Sequence, residues 1–141
     1  AKPDLVAAVF AGYRDDFAWW REQRANSHAG ALAQVGRFLD LEARNLEGER
    51  VCPLGVAGVE YASLPAEACA EAEALRDELA AWLTTTLENG RAAGEVTFAG
   101  APGDQAQLIM AAAQGALQLS RLHGRSDFRA VRRALLAGLK P

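Results

Sequence analysis

The chain has 141 residues, of which 50% are hydrophobic and 23% are charged, and its formal net charge is −3. This length is typical of one domain, about 100–150 residues, with enough buried surface for a hydrophobic core. Dedicated nucleic-acid-binding domains are usually basic, so this chain is not expected to bind DNA by itself. Alanine, leucine, glutamate and arginine dominate, and these strong helix formers predict an all-α helical bundle, with residues 1–141 as one domain.

The sequence lacks the features of a secreted or membrane-inserted protein. Its two cysteines, Cys52 and Cys69, form no C-x-x-C pair and are too few for a disulfide-rich scaffold. No apolar stretch reaches the roughly 18 residues of a membrane span, and the first residues carry no signal-peptide core. We therefore expect a cytoplasmic protein with no membrane partner.

The first predicted helix covers residues 3–23, because aromatic and aliphatic residues recur there at steps of three and four. That apolar face consists of Val6, Phe10, Tyr13, Phe17 and Trp20. Leu5, Val9 and Trp19 widen the face, which predicts that the helix is covered on more than one side.

Two shorter helices are predicted next. Asn26 and Ser27 are suitable caps for a second helix, which we expect to end near Gly48. Residues 51–62 contain Pro53, Gly55 and Gly58, which favours a short or irregular helix near a close contact.

The longest predicted helix opens at Ser63 and Pro65 and ends at a Gly-rich turn. Its inner face is the stripe Ala68, Ala72, Leu75, Leu79, Trp82, Leu83 and Leu87. A group of glutamates near it is interpreted as a solvated face rather than acid/base machinery: Glu60, Glu67, Glu71, Glu73 and Glu78. Residues 95–98 look extended, and a loop follows to Gly103.

A helix over residues 104–122 is apolar on two sides, so one side is expected to pack on the chain's own core and the other to need a partner. Ser126 and Asp127 begin the last predicted helix, whose arginines face outward. A solvated face or subunit-edge pairing is the preferred interpretation of these arginines over phosphate binding: Arg125, Arg129, Arg132 and Arg133.

No recognised catalytic or metal-binding motif is present. His28 and His123 stand alone, so surface or capping roles are preferred to metal ligation. Cys52 is interpreted as a small buried hydrophobe rather than a redox sensor, because no neighbouring Lys or His would activate its thiol. We predict no catalytic residue, no metal and no cofactor.

Aromatic residues at helical spacing have two interpretations, which periodicity cannot separate. They either fill the core or form the wall of an apolar ligand pocket. The residues concerned are Phe10, Tyr13, Phe17, Trp20 and Trp82.

Four motifs in register resemble the TetR family of transcriptional regulators. Residues 1–10 (AKPDLVAAVF) are similar to the family segment that follows the recognition helix, and residues 52–60 (CPLGVAGVE) are similar to its C-L-L-G-x-x-A-x-E stretch. Residues 90–96 (GRAAGEV) resemble the turn that ends its long middle helix, and residues 105–122 resemble its first dimerisation helix.

The resemblance implies the C-terminal domain of a ligand-responsive repressor that forms a homodimer through a four-helix bundle. Residues 1–23 would be the linking helix, and DNA would be bound only through an upstream helix-turn-helix that this sequence lacks. A small apolar or aromatic effector would bind at Phe17, Trp20, Phe38, Leu41, Leu54, Tyr61, Trp82, Met110 and Gln114, with Tyr61 and Gln114 as polar anchors. The dimer would form through Leu108, Ala112, Gly115, Leu119, Leu122, Phe128, Val131, Leu135 and Leu139.

Two other functions stay open at this stage. One is a helical module that binds a protein partner through the 108–122 face without a small ligand. The other is a small helical enzyme that uses an unrecognised Glu or Cys.

Overall fold

A computed structural model of the chain describes residues 2–44, 53–123 and 126–141. The described residues are helical and irregular, without a strand, which confirms the all-α prediction. The α-helices are α1 (Lys2–Glu22), α2 (Ala31–Ala43), α3 (Pro53–Glu60), α4 (Ala66–Ala92), α5 (Pro102–His123) and α6 (Ser126–Leu139), with a 3₁₀ turn at Tyr61–Ser63. Of the predicted features, Gly48, Cys52 and Arg125 lie outside the described residues.

The chain divides into two compact units. The first unit consists of Ala1–His28 and Pro53–Leu79, and the second consists of Ala29–Cys52 and Ala80–Pro141. The continuous helix α4 supplies residues to both. Within the described ranges, no helix combines the length and apolarity needed to cross a membrane.

The core of the first unit forms from the predicted apolar faces of α1 and α4. Phe10, Phe17 and Trp20 of α1 are buried, and so are the α4 residues Ala68, Ala72, Leu75 and Leu79. Leu5, Val9 and Trp19 remain exposed, so the described residues do not provide the second cover that the sequence predicted for α1.

Arg14 of α1 binds Glu71 and Glu78 of α4 in this unit, and we call this contact the Arg14 clamp. It corrects the prediction that these glutamates form a solvated face. The Arg14 guanidinium donates to Glu71 at 2.8 Å and to Glu78 at 2.6 Å. These two glutamates lie two turns apart on α4, so one side of the helix presents both to Arg14. Hydrogen bonds to Glu78 and Glu71 raise the pKa of Arg14 above its ordinary value. Both glutamates are therefore half-buried partners of a cation rather than freely solvated groups.

In the second unit, α5 packs against α6, and α2 packs against both. The core side chains come from α2, α4, α5 and α6 and from the segment after α4: Val35, Phe38, Leu39, Leu83, Leu87, Val96, Ile109, Ala113, Leu117, Phe128 and Leu139. The sequence predicted two apolar sides for the helix over residues 104–122, and α5 has both. One stripe of α5 enters this core, while Leu108, Leu119 and Leu122 stay exposed.

A tight junction connects the end of α4 to the start of α2. A Cβ added at Gly90 would lie 2.3 Å from the Cβ of Ala31, closer than two carbon atoms can approach. The Gly90 carbonyl accepts the N–H of Glu95 at 2.8 Å, and Gly94 adopts a left-handed φ of 74° in the intervening turn. This turn brings the Glu95 carboxylate to the backbone N–H of Ala31, at 2.6 Å.

One local prediction, the cap of α2, is wrong at this junction. The N-cap of α2 is Gly30 rather than Asn26 or Ser27, and it makes no side-chain cap hydrogen bond. Glu95, remote in sequence, meets a free N–H at the helix start instead. The segment predicted to be extended forms no strand among the described residues; within it the Thr97 N–H donates to the Leu139 carbonyl at 2.8 Å.

Helix α6 is fixed by one contact to α5 and one to α2. The Ser120 hydroxyl accepts the Phe128 N–H at 3.0 Å, which caps the start of α6. Arg132 pairs with Asp40 at 3.0 Å and donates to the Gly36 carbonyl. Arg132 is therefore not simply solvated, because its guanidinium binds α2 of the same chain.

The glycines of the short third helix were expected near a close contact. The short helix itself is present as α3. A Cβ added at Gly58 would meet no atom within 4 Å, so a close approach does not explain Gly58.

Gly90→Ala tests the junction. The added methyl group overlaps Ala31, and overpacking of this kind should lower the free energy of unfolding by about 1–3 kcal/mol. Gly12→Ala is the matched control, because Gly12 also lies inside a helix but a Cβ there meets nothing within 4 Å. The control should gain about 0.5–1 kcal/mol from helix propensity. Urea denaturation measures both values, and equal stabilisation of the two variants would contradict the steric role of Gly90.

Candidate functional site

Three helices of the second unit supply the residues of the candidate site, as two pairs with members one turn apart and one single tryptophan. Phe38 and Glu42 lie on α2, Trp82 lies on α4, and Met110 and Gln114 lie on α5. Residues at i and i+4 share a helix face, so each pair acts as one patch.

An aromatic pair connects α2 to α4. The rings of Phe38 and Trp82 stack with centroids 5.8 Å apart and an interplanar angle of 17°. Phe38 is fully buried, whereas Trp82 is only half-buried. The arrangement is a rigid aromatic wall whose inner ring belongs to the core and whose outer ring is partly accessible.

A buried carboxylate lies one turn after Phe38. Glu42 is only 7% exposed, and the side-chain amide of Gln114 donates to its Oε2 across 3.5 Å. Sequence reasoning did not include Glu42 in the predicted site. The available signal was a charged residue at a position whose helical neighbours, Phe38 and Leu39, are apolar.

The remaining predicted ligand residues of this unit, Leu41 and Met110, are half-buried. Apolar side chains of this kind can border a small-molecule site, where a few polar groups fix the orientation of the ligand. Direct contacts join Phe38 to Trp82 and Glu42 to Gln114.

The other predicted ligand residues belong to the first unit. Phe17 and Trp20 are buried there and stack with centroids 5.7 Å apart. Arg24 lies over the Trp20 ring at 4.1 Å from its centroid and donates to the Trp20 carbonyl. Leu54 is half-buried on α3.

Tyr61, one of the two predicted polar anchors, belongs to the first unit. Its side chain is exposed on the 3₁₀ turn, and its hydroxyl donates to the Glu73 carboxylate. That hydrogen bond raises the pKa of Tyr61 to about 12. The Tyr61 side chain is exposed because α3 ends at Glu60, so that Tyr61 falls on the 3₁₀ turn before α4 begins.

The predicted dimer residues separate into three groups by exposure. Leu108, Leu119 and Leu122 of α5 are 56%, 50% and 77% exposed, and a Cβ added at Gly115 between them would meet nothing within 4 Å. Ala112, Val131 and Leu135 are half-buried. Phe128 and Leu139 were predicted to face a partner, but both are buried in the core of the second unit, because this face of α6 packs on the chain's own helices.

Both histidines lie at the surface, and Cys69 is half-buried. His28 is exposed, and His123 faces Asp127, in the first turn of α6, at 3.2 Å. The Cys69 thiol lies near the Tyr61 carbonyl, at 3.6 Å. No group of three or more metal-ligating side chains occurs in residues 2–44, 53–123 and 126–141.

The chain resembles several solved regulators over its whole length. A TetR-family transcriptional regulator from Agrobacterium tumefaciens is 26% identical, with a TM-score of 0.91 over 100% of this chain and 76% of that chain. A TetR transcriptional regulator from Legionella pneumophila is 23% identical, with a TM-score of 0.84 over 99% of this chain and 75% of that chain. The reduced form of E. coli NemR is 17% identical, with a TM-score of 0.79 over 99% of this chain and 73% of that chain, and these last two likenesses concern the fold alone.

The family assignment rests on sequence as well as fold. No curated protein matches the chain. Residues 32–136 match the family described as "Tetracyclin repressor-like, C-terminal domain", which covers most of the 141 residues. The chain therefore belongs to the TetR family of transcriptional regulators, as a tetracycline repressor-like C-terminal domain.

Proposed function

We propose that the chain is the effector-binding and homodimerising part of a ligand-responsive TetR-family repressor. The observation that carries the proposal is the placement, within a domain of this family, of a half-buried Trp82 against Phe38 with the buried Glu42 and Gln114 adjoining. A few polar groups beside an aromatic wall are typical of small-molecule sites, where they fix the orientation of the ligand. The effector we expect is a small molecule with an aromatic or apolar body.

Effector binding would act by shifting an equilibrium between two conformations of the protein. It can do so only to the extent that it binds one conformation better than the other. Trp82 belongs to α4, and the Arg14 clamp joins α4 to α1 within the first unit. We propose that a displacement of α4 is transmitted through this clamp to α1, the helix that would lead to a DNA-binding domain.

Tryptophan fluorescence tests the effector site. An aromatic compound present at 100 times its dissociation constant should stabilise the fold by about 2.7 kcal/mol, which raises the melting temperature. The same compound should quench the emission of Trp82, because its ring is partly accessible. We expect Trp82→Phe to remove most of the quenching, while the matched control Trp19→Phe, at an exposed position of α1, retains it.

Two outcomes would contradict the effector site. One is the absence of any thermal shift across a broad library of aromatic and apolar compounds. The other is quenching that is equal in the wild type and in Trp82→Phe, because the bound compound would then lie elsewhere.

We also propose that α5 forms the centre of a homodimer. Leu108, Gly115, Leu119 and Leu122 follow steps of seven, four and three, so they form one stripe, and the three leucines on it are largely exposed. A contiguous exposed apolar stripe marks an interaction surface, and a two-fold arrangement would cover it with its own copy. Obligate dimer interfaces bury about 2,000 Å² or more.

Gly115→Trp tests the dimer without perturbing the single chain. A Cβ at Gly115 meets nothing within 4 Å in the protomer, so a large side chain there should obstruct only a partner. The matched control is Gly12→Trp, at an equally open helical position of α1. Sedimentation at micromolar concentration should show a dimer for the wild type and the control and a monomer for Gly115→Trp. A monomeric wild type, or a dimeric Gly115→Trp, would refute the interface.

A further inference from the structure

We propose that α5 pairs with α5 of a second copy in antiparallel orientation, so that the two-fold axis of the dimer passes beside Gly115. This inference rests on the proposed homodimer and specifies which surface of the second copy covers the exposed leucines. It starts from the spacing of the residues along the exposed stripe of α5, which is symmetric about one glycine.

The exposed stripe of α5 extends equally far on both sides of Gly115. Leu108 and Leu122 lie seven residues before and after Gly115, and Ala111 and Leu119 lie four residues before and after it. Steps of four and seven return to nearly the same side of an α-helix, so the five positions share one face. All five are exposed in the single chain.

This symmetry gives every member of the stripe an apolar partner when the helix meets its own copy. If the two-fold axis is perpendicular to α5 at Gly115, a residue some positions before the axis meets the residue equally far after it. Leu108 then lies against the partner's Leu122, and Ala111 lies against the partner's Leu119. The apolar surface that is exposed in the single chain is thereby covered along its whole length.

The glycine at the centre of the stripe permits close packing of the two helices. The distance between packed helices depends on the side chains at the contact, and Gly115 has none. A Cβ added at Gly115 would meet nothing within 4 Å in the single chain, so no contact within the protomer accounts for a glycine at this position.

The charges at the two ends of α5 favour the antiparallel orientation over a parallel one. Asp104 lies in the first turn and Arg121 in the last turn, and both are exposed. A parallel pair would place each of these charges near its own copy, which is unfavourable. An antiparallel pair brings the acidic first turn of each helix near the basic last turn of the other, and the helix dipoles then also oppose each other.

Cysteine cross-linking tests the register in the full chain after Cys52→Ala and Cys69→Ala have removed the native thiols. Gly115→Cys places a thiol beside the proposed axis, and a short bismaleimide should join its two copies. The double variant with Leu108→Cys and Leu122→Cys should also form covalent dimers, because each new cysteine would lie near the other one of the second copy.

The single variants are the matched controls for the double variant. In the proposed register the two copies of residue 108 lie about 21 Å apart along the helix axis, and so do those of residue 122. Leu108→Cys alone and Leu122→Cys alone should therefore cross-link at least about tenfold more slowly than the double variant, since a short linker cannot span that distance. Gly12→Cys, at an open helical position of α1, measures cross-linking by random collision.

The possible outcomes separate the register from the proposed dimer. Cross-linking of Leu108→Cys alone as fast as the double variant would indicate parallel helices and overturn the register. If Gly115→Cys reacts no faster than Gly12→Cys while sedimentation still shows a dimer, another surface such as α6 covers the stripe, and the register is wrong although the dimer stands. A monomeric wild type would refute both. If the double variant is monomeric in sedimentation, the rate of Gly115→Cys relative to the two single variants decides.

Discussion

The contact between Gly90 and Ala31 is the constraint on which the second unit depends. Because residue 90 has no Cβ, the last turn of α4 can lie against the first turn of α2. The two helices are antiparallel there, and Phe38 and Trp82 each lie about two turns from the junction. The register that brings their rings into a stack is therefore set at the junction. Glu95 secures it by accepting the Ala31 N–H, and Thr97 connects the following segment to the end of α6.

The set of residues at the proposed effector site follows from this register. A carboxylate at position 42 can adjoin the aromatic pair only because it lies one turn beyond Phe38 on the same face of α2. Helix α5 contributes Gln114, which donates to Glu42, and the same helix presents exposed leucines. One helix would therefore serve both the effector site and the dimer, so ligand occupancy and subunit contacts share a rigid element. The Arg14 clamp gives α1 a comparable connection to α4 in the first unit.

Local periodicity predicted the helices well, because a repeating apolar face reports burial directly. The inner face of α4 and the family resemblance of residues 90–96 both followed from the sequence. Contacts between residues far apart in sequence did not follow: Glu95 meets Ala31, and Arg14 meets Glu78, across 64 residues in each case. Glu42 was overlooked because periodicity identifies which residues share a helix face, but not whether a polar residue on that face has a role in binding. The exposure of Tyr61 depends on where α3 stops, which its glycines left ambiguous.

We propose above that a small molecule binds among α2, α4 and α5 of the second unit. Nuclear magnetic resonance of ¹⁵N-labelled protein tests it most directly, because the Trp82 indole N–H and the Gln114 side-chain amide each give a distinct signal. During titration with the compound that stabilises the chain most, the account predicts that both signals shift together and saturate at one equivalent per chain. Saturable shifts confined to residues of α1 and α3, with the Trp82 and Gln114 signals unchanged, would contradict it.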